Sequence, residues 1–180
     1  MSTVSGTTWV QQFPTSTSVA DLSADFSAAV SRFIAALRDA GAQVSIAATL
    51  RPPERAYLMH YAWRIAQEQL DPATVPAMDG VDIDWTHRNA QGQTQLQQAR
   101  QAAAQMVTGY GIVYRPALTS RHTEGRAIDM NITQYLNKSV ATAAGQAQTL
   151  TTAAQLHALG AGYGVHKLAS DPPHWSDDGH

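Results

Sequence analysis

Between Leu22 and Thr49 the apolar pattern changes its period, and this change limits the possible folds more than any other feature of the chain. Leu22, Phe26, Val30, Phe33, Ile34 and Leu37 recur at helical spacing on one face, with Ser18 placed to cap the start and Gly41 to close the end. Val44, Ile46 and Ala48 then alternate with Ser45, Ala47 and Thr49, the period of a short strand. The alternation of element types continues. Pro52 and Pro53 suit the first turn of a second helix, running to about Leu70 with Leu58, Ala62 and Ile65 as its buried stripe. Residues 71–80 form a loop, and Val81, Ile83 and Trp85 alternate with Asp82 and Asp84. A third helix spans roughly 94–108 and stops at Gly109; 127–132 is strand-like; a fourth helix covers about 147–159, before a Gly-rich stretch and a short extended segment at 165–167. This order predicts an α+β fold: a Ser/Thr-rich N-terminal arm over 1–17, then a single domain over 18–180. A parallel α/β sheet is the alternative, and no Gly-rich phosphate loop follows any strand to support it.

A chain of 180 residues buries about 70% of its unfolded surface, so this one needs no metal or disulfide merely to fold. With 44% apolar and 14% charged residues it is unlike a disordered chain. Its 12 basic and 14 acidic residues nearly balance, and ten of the basic ones are arginines scattered singly. No basic stripe is present to neutralise phosphates, so neither nucleic acid nor anionic lipid is an expected partner. Cysteine is absent, so any metal site must draw on Asp, Glu and the seven histidines. No run approaches the roughly 20 apolar residues of a membrane span. The opening is polar and the first basic residue is Arg32, so no signal peptide is expected.

Chemistry concentrates in two stretches. The first runs from Ser120 to Ile132. Ile128, Met130 and Ile132 share one strand face, while Ala127, Asp129 and Asn131 share the other, where a small residue leaves space beside the carboxylate. His122 lies seven residues before Asp129, across a turn that Gly125 permits. The second stretch is Asp171-Pro-Pro-His174-Trp175. Two prolines predict an extended, polyproline-like segment, in which residues three apart point the same way. Together the stretches supply His122, Asp129 and His174 as three N/O ligands, with Asp171 in reserve. Three such ligands leave a fourth tetrahedral position open, as in catalytic zinc, which polarises carbonyls and acidifies water to a pKa of about 7. Asp171 is then placed as general base and acid, and Arg51 suits a substrate carboxylate or a developing oxyanion.

Ser120, His122, Gly125, Ala127 and Asp129 also match the S-x-H-x-x-G-x-A-x-D motif of the LAS zinc peptidases. That family comprises D-alanyl-D-alanine carboxypeptidases and dipeptidases and L-alanyl-D-glutamate endopeptidases. Asp171-Pro-Pro-His174-Trp175 resembles the family's second motif, and Ala48-Thr-Leu-Arg51-Pro-Pro-Glu is similar to its arginine-bearing strand end. The resemblance spans about residues 43–176. It implies a small antiparallel sheet with flanking helices, hedgehog/DD-peptidase-like. It implies Zn2+ on His122, Asp129 and His174, general base and acid at Asp171, and substrate contacts from Ser120 and Arg51. The activity implied is hydrolysis of peptide bonds in bacterial peptidoglycan stem peptides. Asp171 stands where many members carry Glu; aspartate is similar to what the phage-type endopeptidases use. That points to an endolysin-like L-Ala-D-Glu endopeptidase, with D-Ala-D-Ala carboxypeptidase as the alternative. A monomer is expected. It would reach the cell wall in the periplasm or envelope through phage lysis or dedicated export, with no separate wall-binding domain after His174.

Other readings stand beside these. Asp171 could be a turn residue before Pro-Pro, Arg51 a surface charge at a helix start, and Ser120 a turn cap. His87, near Asp82 and Asp84, reads as a strand exit rather than a second metal site. His166 sits where it could line the site; His60, His157 and His180 read as structural or exposed. Trp175 reads as packing under the metal rather than binding sugar. The rival functions are a zinc-bearing wall-binding module without catalysis and an assembly protein of a phage or secretion particle.

Overall fold

The computed structural model describes residues 2–180. The regular elements, in chain order, are β1 (Thr3–Val4), α1 (Ala24–Asp39), β2 (Gln43–Ala48), α2 (Pro53–Gln67), β3 (Ile83–Asp84), α3 (Leu96–Tyr110), β4 (Ala127–Thr133), β5 (Lys138–Ala141), β6 (Ala147–Leu150), α4 (Ala153–Gly162), β7 (His166–Lys167) and β8 (His174–Ser176). Helices and small sheets are mixed, an α+β arrangement. The chain divides into two compact units.

One unit joins Pro52–Thr119 to the N-terminal segment that ends at Pro14. Helices α2 and α3 bury Tyr57, Leu58, Tyr61, Ile65, Met106 and Val107 together with Trp9, Val10 and Trp85. The short strands β1 and β3 pair in parallel, Thr3 opposite Ile83. Gly109 does not stop α3. It lies inside the helix, where Val10 packs so closely that a Cβ would come within 2.8 Å of Val10 Cγ2. The stop is Gly111, in the left-handed conformation that glycine adopts at a helix end.

The other unit, Thr15–Arg51 with Ser120–His180, contains a four-stranded antiparallel sheet in the order β2-β4-β8-β7 and a separate β5-β6 hairpin. Its core sets Phe26, Val30, Phe33, Ile34 and Leu37 of α1 against Ile128 and Met130 of β4, with Trp175, Val165 and Leu159. The predicted first helix starts later than Ser18. Ser18 caps a short 3-10 turn at Val19–Asp21, and the α-helix begins at Ala24. Between them the Ser23 N–H donates to the Gly125 carbonyl at 2.9 Å, which takes that residue out of helical bonding. The helix expected over 147–159 is two elements. Residues 147–150 pair with 138–141, burying Val140 and Leu150, and α4 begins only after Thr152, whose side chain accepts the Gln155 N–H. Opposite Asp129, β2 carries a register shift between Ile46 and Ala48. The extra residue, Ala47, puts small Ala48 across from Asp129 and ends the strict alternation read from the sequence.

Candidate metal centre

Strand alternation, a glycine turn and a cross-strand pair together build the centre. In β4, Ile128 and Met130 are buried in the core and Asp129 faces the opposite side. On β8, His174 stands opposite Asp129 in register, and its neighbour Trp175 pairs with Ile128 and is buried in the core against Phe33. His122 arrives on the loop from Ser120. The Ser120 carbonyl accepts the Thr123 hydroxyl at 2.8 Å and the Thr123 N–H at 2.9 Å. Gly125 closes the loop at φ 68°, with Ser23 N only 3.0 Å from where a Cβ would sit. A side chain at Gly125 is opposed by both conformation and space.

The result is a triangle of donor atoms. His122 Nε2 lies 3.1 Å from Asp129 Oδ1 and 3.2 Å from His174 Nδ1, and His174 Nδ1 lies 3.2 Å from Asp129 Oδ1. The second nitrogen of each ring fixes its tautomer. The Thr49 carbonyl can only accept, so His122 Nδ1–H donates to it at 2.7 Å. Likewise His174 Nε2–H donates to the main-chain oxygen of His180 at 3.1 Å. In neutral rings the lone pairs of His122 Nε2 and His174 Nδ1 therefore point at each other and at a carboxylate oxygen. Such convergence is repulsive without a cation or a proton among them. A point about 2.1 Å from all three atoms, a zinc–ligand distance, lies about 1 Å off their plane and sees angles of about 100°. The three residues fit a metal ion, and His122 and His174 are both buried.

Electrostatics agree with that geometry. Burial alone would raise the Asp129 carboxyl, but with a proton on the facing ring nitrogens, hydrogen bonds from His122 and His174 and their positive charge hold it well below the usual carboxylate range. His174 is raised from its ordinary value of 6.5, first by its hydrogen bond to Asp129 and against its own burial; the charge of Asp171 adds to the rise.

The remaining candidates are placed as follows. Asp171 is exposed and outside the triangle, on the turn that leads into His174. That turn is not the extended polyproline segment expected from Pro172 and Pro173. The His174 N–H donates to the Asp171 carbonyl at 3.1 Å and closes a four-residue turn. Arg51 is half-buried, and its main-chain N–H donates to the His122 carbonyl at 3.0 Å. Residues 49 and 51 thus hold His122 by ring and by backbone. The Ser120 hydroxyl is buried with no hydrogen-bond partner among the described residues. His166 pairs with Ser176, not with His174. His157 sits edge-on to Trp175. In the other unit, His87 Nε2 lies 2.9 Å from the Ser5 hydroxyl, and His60 Nδ1 donates to the Pro116 carbonyl at 2.7 Å. Among the described residues, His122, Asp129 and His174 are the one group of three or more His, Asp or Glu side chains placed to hold a metal.

Two parts of the centre carry no signal in the sequence. Thr49 and His180 act through main-chain oxygens, which any residue could supply. A third part was there to be read: Arg121 and Arg126 flank the His122 loop, and acids lie near the end of the sequence. Arg121 pairs with Asp178, and Arg126 pairs with Asp177 at 2.9 Å. These half-exposed bridges add little energy individually. Their effect is geometric, tying segment 177–180, and so the His180 oxygen, to the His122 loop. Comparison of the chain with models of known protein families gives no match, and comparison with curated proteins gives none.

Proposed function

We propose that this protein is a zinc-dependent peptidase acting on peptide bonds of bacterial peptidoglycan stem peptides, a member of the LAS family with a hedgehog/DD-peptidase-like fold. The observation that carries the reading is the convergence of three donor atoms within 3.2 Å, two of them on rings whose tautomers are fixed, with Asp171 on the same short turn as His174. Zinc held there supplies Lewis acidity to a carbonyl and acidifies water toward neutral pH. Asp171 then takes the proton of the attacking water and returns it to the leaving amine. Arg51 binds a substrate carboxylate or the developing oxyanion, and the Ser120 hydroxyl contacts the substrate. An L-Ala-D-Glu-type bond is the preferred substrate because the base is Asp171 rather than Glu; D-Ala-D-Ala is the alternative.

Two histidines and one carboxylate also suit non-haem iron. Elemental analysis of the purified protein separates the two. About one zinc per chain is expected from a single three-donor site. Iron in its place, or no metal after zinc is offered, would overturn the proposal. Bound zinc with no hydrolysis of any wall peptide would leave a binding module instead.

A further inference from the structure

We infer that Lys167 is a positioning residue of the metal centre: its ammonium group gathers three main-chain carbonyls and so holds the turn that presents the His174 ring. The inference rests on reading His174 as a metal donor. Lys167 ends β7 and pairs with Trp175 of β8, and its Nζ lies 5.8 Å from the centroid of the Trp175 ring. The segment it faces contains Pro172 and Pro173, which have no N–H to donate. What remains is a ring of three backbone bonds. Asp171 N–H donates to Leu168 at 3.2 Å, His174 N–H to Asp171 at 3.1 Å, and Leu168 N–H to His174 at 3.1 Å.

Lys167 Nζ donates to those same three carbonyls: Leu168, Asp171 and His174, the last at 3.1 Å. An ammonium has three donors and each carbonyl oxygen two lone pairs, so the cation and all three acceptors are used in full. These are charge-assisted bonds, stronger than neutral ones. One residue before His174, the Pro173 carbonyl accepts the Met130 N–H at 2.9 Å, beside Asp129. The turn is thus gripped from inside by Lys167 and from the sheet by β4, and the His174 ring is carried to Asp129 between the two grips. A planar guanidinium cannot converge three N–H groups on a pyramid of oxygens, so arginine should not substitute.

The test compares the parent protein with Lys167→Met, Lys167→Arg and Lys167→Ala. Zinc dissociation constants are read by competition with a chromophoric chelator, and folding is checked by circular dichroism. Residues that orient a metal ligand typically matter by roughly 10–100-fold in affinity, and Lys167→Met and Lys167→Arg should both weaken zinc by about that factor. Propylammonium should restore affinity in Lys167→Ala and leave Lys167→Arg unchanged. Equal affinity in Lys167→Met and the parent would overturn the inference. A second measurement covers variants that fail to fold, and it needs no metal. The chain has two lysines, so 15N NMR of the parent can follow each ammonium group separately. Lys167 should show slow hydrogen exchange against Lys138 as reference; rapid exchange at Lys167 would overturn the inference. Failure of the parent to bind zinc would defeat the proposed function, while the NMR result would still decide whether Lys167 holds the turn.

Discussion

Gly125→Ala perturbs the centre without touching a donor atom. Gly125 sits at φ 68°, and a Cβ there would lie 3.0 Å from Ser23 N and 3.5 Å from Leu22 Cα. An L-residue in the left-handed region costs roughly 1–2 kcal/mol. The near neighbours are backbone atoms, tied by the Ser23 N–H to Gly125 carbonyl bond, so they yield little. Overpacking of this kind typically adds about 1–3 kcal/mol. A loss of about 3 kcal/mol is expected, which for a chain of this size lowers the melting temperature by roughly 6–12 °C. The same strain shifts the His122 loop, so zinc affinity should fall with stability. Thermal melts in chelator, paired with zinc competition, measure both. Gly125→Asn should remain destabilised, because asparagine tolerates the conformation but keeps the clash. Wild-type melting and wild-type affinity in Gly125→Ala would refute this account of the loop.

The other expectations concern the donor atoms and the base. His122→Ala and His174→Ala should each abolish stoichiometric zinc binding, and His87→Ala should not, as elemental analysis of the three proteins will show. Asp171→Asn should leave zinc content unchanged and lower wall-peptide hydrolysis by roughly 10²–10⁴-fold, measured as initial rates; an undiminished rate would remove Asp171 as the base. In the metal-free protein, the raised His174 contributes stability that is complete below 6.5 and lost as pH rises through its folded value. The depressed Asp129 contributes stability present above 3.8 and lost as pH falls through its own. Zinc must displace the His174 proton, so its affinity should climb as pH rises above 6.5; calorimetry in buffers of different ionisation enthalpy reads the released proton, and a flat profile from about pH 6 to 8.5 would count against the site.

What the sequence disclosed follows from which part of each residue acts. Asp129 was legible because the apolar residues on either side of it, Ile128 and Met130, mark the core face of the strand, although Ala127 on its own side is buried as well. His122 was legible because Gly125 marks the turn that folds it back. The Thr49 and His180 contacts were not, since a carbonyl has no residue identity. Pro172 and Pro173 are compatible with both an extended segment and a turn. The choice is made by hydrogen bonds from His174 and Lys167 that no local pattern records. The β5-β6 hairpin escaped because Lys138–Ala141 and Ala147–Leu150 are four-residue strands low in β-branched and aromatic residues, where helical propensity and strand pairing compete and pairing prevails. Gly109 misled for a related reason: a glycine kept for close approach by Val10 looks the same in sequence as one that ends a helix.

The central claim is that these residues hydrolyse a peptide bond in the wall with the help of zinc. Mass spectrometry of fragments released from purified peptidoglycan by the zinc-loaded protein tests it most directly. The account predicts products with new termini within the stem peptides, at the L-Ala-D-Glu bond or at D-Ala-D-Ala, lost on chelation and in Asp171→Asn. Intact stem peptides across several wall chemistries, from protein shown to hold zinc, would contradict it.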